Sequence, residues 1–100
     1  MSVTDEYHCD GVVRSGRVRV AAASRYFAPP LRARGASHGS HFVDPGHPLA
    51  RDIVALHTEV AWALRLRDAV THLEVFDTPD GLVIRCQRIL KIDPVGFREN

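Results

Sequence analysis

Residues 71–84, THLEVFDTPDGLVI, decide how the rest of the chain is read. Glu74 sits between Leu73 and Val75 in a run of β-branched and aromatic residues, which predicts a strand with one apolar face and His72 and Glu74 on the other. Pro79-Asp80-Gly81 then reads as a turn into a second strand. A carboxylate projecting from a sheet in this way belongs to a solvated face, to a salt bridge or to a metal site.

Upstream, EYHCDGVVR (6–14), Ser15-Gly16 and RVRVAAAS (17–24) predict a β-hairpin over 6–24 with a two-residue loop of the primed type. Pairing Arg14 with Arg17 sets a register in which Val13 opposes Val18, Cys9 opposes Ala22 and Glu6 opposes Arg25. Tyr7, Cys9, Gly11 and Val13 then share a buried face. Glu6, His8, Asp10 and Arg14 fall on the other, read either as a charge-balanced solvated surface or as the polar wall of a ligand cleft.

Residues 25–47 lack periodicity and are dense in Pro, Gly, Ser and His, which predicts a long loop. A connection above roughly 15 residues without structure of its own is usually functional or disordered. Two readings stand beside each other. His38, His41 and His47 offer imidazoles for a zinc ion, or Gly35, Gly39 and Ser40 allow close backbone approach to a phosphate beside His38. Pro48 to Arg67 predicts one helix, with Leu49, Ile53, Leu56, Val60 and Leu64 as its apolar stripe and with Trp62 and His57 packing at the boundary. The order hairpin, loop, helix, hairpin gives an α+β fold in which one helix covers an antiparallel sheet.

Composition narrows the function classes. Net charge is +1, from twelve Arg, the single Lys91 and 12 acidic residues, so no electrostatic footprint for nucleic acid or an anionic membrane is visible. No apolar run approaches the roughly 20 residues of a membrane span, and residues 1–10 do not form a signal peptide. A soluble, cytoplasmic chain is expected. Cys9 and Cys86 lie in separate strands without a C-x-x-C partner, which predicts reduced, buried thiols.

Three segments in order, EYHCDGVVRSGRV (6–18), RGASHGS (34–40) and LHTEVAWALRLRDAVTHLEVFDTPDGLVI (56–84), resemble the C-terminal half of an ATP-grasp domain of the carboxylate–amine ligase type. The resemblance covers residues 5–84 and implies ATP and Mg²⁺ as cofactors. By the motif match, Glu6 is implied to bind the ribose and His38 the nucleotide phosphates, with His41 as the alternative. Arg25 is implied to face a phosphate or substrate carboxylate, and Glu74 to ligate the metal. The family activates a small-molecule carboxylate as an acyl phosphate, which an amine then captures.

The departures matter equally. Where the family has a second metal-binding Glu, then Asn and Arg, this chain has Arg85-Cys86-Gln87-Arg88, with no carboxylate before Asp93. The expectation is therefore residues 1–84 as a partial ATP-grasp subdomain and 85–100 as a divergent tail. Such a chain reads as a truncated or frame-shifted ligase, inactive alone and exposing apolar surface that favours self-association. A non-catalytic nucleotide- or partner-binding module and a His-rich metal-binding domain are the other readings.

Overall fold

In the computed structural model, which describes residues 5–26 and 40–91, five antiparallel strands form one sheet and a single helix covers one of its faces. The strands are β1 (Asp5–Arg14), β2 (Arg17–Tyr26), β3 (Ser40–Phe42), β4 (Ala69–Thr78) and β5 (Gly81–Lys91), and the helix α1 spans Pro48–Ala63. Spatial order is β3-β2-β1-β4-β5. Both long hairpins, β1–β2 and β4–β5, are sequence neighbours, and the sheet is closed in its middle by antiparallel pairing of β1 with β4. The α+β expectation is met.

The first hairpin turns at Ser15 and Gly16, both with positive φ (53° and 77°), as the primed two-residue turn requires. Its register near the turn is the expected one, with Arg14 opposite Arg17 and Val13 opposite Val18. Beyond that it shifts. A β-bulge makes Val12 pair with Val20, so Cys9 faces Ala23 rather than Ala22, and Arg25 faces Tyr7 rather than Glu6. Arg19 is the extra residue. A turn fixes only the pairs beside it, and one inserted residue displaces every pair beyond.

The buried face carries Tyr7, Cys9, Ala23, Leu73 and Val75, against which α1 packs Ala50 and Ile53. A second cluster of Val13, Ala61, Leu66 and Ala69 extends the core toward the hairpin turn. The helix stripe is thus Ala50, Ile53, His57 and Ala61, rotated from the expected line through the larger leucines. Leu49 and Leu56 are half-buried at its margin, and Trp62, expected at a packing boundary, is 80% exposed. Small side chains let the helix approach the sheet closely. At Gly11 a Cβ would stand 2.7 Å from the His57 ring, so only glycine fits beneath the helix there.

α1 begins with His47, whose Nδ1 accepts from the Leu49 N–H at 3.1 Å, and with Pro48 in its first turn. It stops four residues before the expected Arg67. Arg65 adopts φ 53°, its N–H bonds the Trp62 carbonyl at 3.0 Å, and the Leu66 N–H bonds the Ala61 carbonyl at 3.1 Å. These are the two bonds of a Schellman motif, and Leu66, buried against Ala61, supplies its apolar contact. Asp68 then accepts from the Ser15 N–H and from Arg14 Nε, tying the α1–β4 connection to the first turn.

One stretch expected to be loop forms a strand, and the stretch expected to diverge from the family continues as one. Ser40–Phe42, inside the expected 25–47 loop, pairs with Ser24–Tyr26 as β3. β5 continues through residues 85–91 of the expected divergent tail, paired with β4 out to Lys91 opposite Ala69. Among the described residues no helix is long and apolar enough to cross a membrane. On the helix-free face, Val20, Val12, Val70 and Leu90 lie side by side across four strands, and Val20, Val70 and Leu90 are exposed.

Candidate functional site

The helix-free face becomes polar away from that apolar row. Because side chains alternate along a strand, Glu6, His8 and Asp10 of β1 point to the same side. Cross-strand pairing sets Phe76 beside Glu6, Glu74 beside His8 and His72 beside Asp10. β2 adds Ser24 opposite His8, and the Tyr26 ring packs against the His8 ring in a tilted contact, 4.8 Å between centroids.

β5 contributes through a second bulge. Val75 pairs with Ile84 but Glu74 pairs with Cys86, leaving Arg85 as the extra residue opposite Glu74. A bulge re-aims a side chain, and here it turns the guanidinium onto the polar face. Arg85 Nη1 donates to Glu6 Oε2 at 3.0 Å and to Glu74 Oε1 at 2.9 Å. Glu6 is 1% exposed and Glu74 is also buried, so one cation holds two desolvated carboxylates. Burial pushes the Glu6 carboxyl above its ordinary range; Arg85 pulls it back, and the neighbouring Glu74 charge raises it again. Glu6 Oε1 has no hydrogen-bond partner among the described residues.

A second polar centre adjoins the first. His8 Nδ1–H donates to Asp10 Oδ2 and His72 Nδ1–H donates to Asp10 Oδ1, both at 2.6 Å, and the two rings lie 5.2 Å apart. His8 Nε2 contacts Ser40 Oγ at 3.1 Å, and His72 Nε2 lies 3.9 Å from Glu74 Oε2. Hydrogen bonds therefore join His72, Asp10, His8 and Ser40, and Arg85 with Glu74, and the two groups approach to 3.9 Å between His72 and Glu74. Burial together with Glu74, Glu6 and Asp10 pushes the Tyr26 hydroxyl up to about 12, so this phenol stays protonated beside the acids.

The site residues expected from sequence separate into three groups. Glu6 and Glu74 come together through Arg85. Arg25 is engaged elsewhere, its Nη2 donating to Asp5 Oδ1 at 2.6 Å rather than facing Glu6. His41 lies on β3 opposite Arg25, at the edge of the sheet, while His38 lies outside the described residues. Read from sequence, Arg85 stands where the family has a carboxylate; its contact with Glu6 is not legible there, because it spans 79 positions and depends on a bulge. His8, Asp10 and His72 fall on polar strand faces with nothing in the sequence to join them. The i, i+2 spacing of His8 and Asp10 on one strand is a legible signal; the cross-strand partner is not.

No family model matches the chain. It is 31% identical over 93 residues to an L-arginine-specific L-amino acid ligase of Bacillus subtilis, an alignment that takes in 93% of this chain. The chain spans 22% of the length of that protein. This similarity supports a relation to the ligases.

Proposed function

We propose that the chain derives from ATP-grasp carboxylate–amine ligases and that its acidic site is closed by its own arginine, so that alone it is catalytically silent. The parent reaction uses ATP to convert a carboxylate to an acyl phosphate, from which an amine displaces phosphate. The observation that carries the reading is the contact of Arg85 Nη1 with both Glu6 and Glu74. Magnesium needs hard oxygen ligands in near-octahedral array about 2.0–2.1 Å away. The guanidinium instead sits 2.9 Å from Glu74, on the oxygen through which an ion would be held. Unit charges of like sign 4 Å apart repel by about 4 kcal/mol at a near-surface effective dielectric, and a divalent ion by about twice that. The residues present do not fit Mg²⁺ while Arg85 stays in place. Glu6 as a ribose ligand and Glu74 as a metal ligand are inherited positions in this reading, with Arg25, His38 and His41 as further positions toward phosphate or substrate.

Calorimetry with Mg-ATP tests the proposal. The wild-type chain is expected to show no binding in the micromolar range, and 10 mM MgCl₂, roughly a hundredfold excess over a 0.1 mM ligand affinity, leaves its melting temperature unchanged. Arg85→Glu, which puts a carboxylate where the family has one, is expected to gain a Mg²⁺-dependent rise in melting temperature. Micromolar Mg-ATP binding by the wild type, with phosphate release in the presence of amino acids, would sink the reading.

A further inference from the structure

We propose that His8, Asp10 and His72 form a binding site for a first-row divalent transition ion of the zinc type, distinct from the carboxylate pair held by Arg85 and independent of the ligase reading. One ligand atom from each of the three side chains lies within 4.8 Å of the others. The set is two imidazoles and one carboxylate, the nitrogen–oxygen mixture that suits Zn²⁺, Co²⁺ or Ni²⁺ and not the all-oxygen set that Mg²⁺ prefers. Its three members come from the rigid centre of the sheet. His8 and Asp10 are two apart on β1, and His72 is the cross-strand partner of Asp10.

The contacts already trace the outline of a coordination sphere. Both Nδ1 atoms converge on the two oxygens of one carboxylate, each at 2.6 Å. An ion bound at about 2.0–2.2 Å from each ligand atom needs them about 3.3 Å apart, so the two nitrogen–oxygen contacts open by less than about 1 Å, while the widest separation within the set, no more than 4.8 Å, closes toward the same value. Binding replaces a hydrogen bond with a metal bond at each Nδ1. The ring proton then resides on Nε2, each imidazole remains neutral, and no net proton is consumed.

Outer partners for that tautomer are in position. His8 Nε2 meets Ser40 Oγ at 3.1 Å, and His72 Nε2 faces the Glu74 carboxylate at 3.9 Å. Ligating histidines almost always donate their other N–H to such a group, which fixes ring orientation and raises ligand basicity. The Asp10 side chain is 48% exposed and that of His72 31%, so an ion can enter from solvent and its remaining positions hold water. Among the described residues the loop histidines contribute no such set: His47 Nδ1 is committed to the helix cap, and His41 is not part of the converging group.

Titration of the tag-free 100-residue chain with Co²⁺, followed by visible absorption and competed with Zn²⁺, tests the site. One equivalent is expected to bind with d–d bands that Zn²⁺ abolishes. His8→Ala, His72→Ala and Asp10→Asn are each expected to weaken binding at least tenfold, while the His38→Ala/His41→Ala double variant leaves it unchanged. Imidazole ¹⁵N spectra of the wild-type chain make the test independent of how well the variants fold: Zn²⁺ is expected to move the Nδ1 signals of His8 and His72. Absence of stoichiometric binding, unchanged affinity in folded His72→Ala and Asp10→Asn, or Zn²⁺ shifts confined to other histidines would each overturn the proposal.

Discussion

Replacing Arg85 with alanine removes the one side chain among the described residues that neutralises Glu6 and Glu74 together. Breaking a fully buried ion pair from one side costs about 3–5 kcal/mol, whereas exposed pairs are worth about 0–1. The arginine side chain is 32% exposed and its carboxylates almost fully buried, which places the loss at about 2–3 kcal/mol between those limits. For a domain of this size that corresponds to a fall of roughly 10–20 °C in melting temperature. The loss also depends on pH. Burial raises the Glu6 carboxyl above its ordinary 4.5 and Arg85 opposes that rise, so the variant carries it higher still. The folded state then keeps a proton that the unfolded chain has released, and stability falls as pH rises from 4.5 through the raised value. The deficit is expected to be largest at pH 7.5, to shrink toward pH 5, and to recover in part when Glu6→Gln is added to Arg85→Ala. Melts by far-UV circular dichroism at the two pH values measure it. A variant within about 2 °C of the wild type at pH 7.5, below the shift from even 1 kcal/mol, would refute the argument.

His57 gives a dependence of opposite sign. Its Nε2 meets Thr71 Oγ1 at 2.6 Å, its Nδ1 has no hydrogen-bond partner among the described residues, and burial pushes the imidazole below its ordinary 6.5. As pH falls through 6.5 the unfolded chain takes up a proton that the folded one refuses, so stability is lost on acidification. Comparing the wild type with His57→Leu/Thr71→Val cancels the Glu6 contribution, and the wild type is expected to weaken relative to that variant between pH 7 and pH 5.5, a difference that parallel melts would reveal. The thiols should separate as well. Cys9 is completely buried and pushed up to about 12 by that burial, while Cys86 is half-buried on β5. A disulfide reagent at pH 8 is expected to label Cys86 rapidly and Cys9 only at the unfolding rate; two equally fast phases would contradict the packing.

Period and punctuation carried most of the fold. The alternation around Gly11 and around Val75, the Ser15-Gly16 turn and the Pro48 helix start are local signals, and β1, β2, β4 and the start of α1 stand where they predict. The shorter helix escapes such signals because its stop uses Arg65 in a conformation usually left to glycine, stabilised by Leu66 packing back onto Ala61. Strand β3 escapes them because three residues hold no measurable period; they are a strand through pairing with β2. The helix stripe differs from the expected one because the largest side chains are not the ones that fit between helix and sheet when His57 must lie over Gly11.

The site divides along the same line. Sequence alone placed Glu6, His8 and Asp10 on one strand face and His72 and Glu74 on another, because alternation is a property of the extended chain itself. Only the tertiary structure set β1 beside β4, shifted two registers through the extra residues Arg19 and Arg85, and so decided which charges meet. A bulge costs one residue of pairing and leaves no distinct mark in composition, yet it determines whether an arginine opposes an acid or turns away from it. What the residues could not reveal by themselves is that Glu74 has Arg85 as its partner and His72 at its other side.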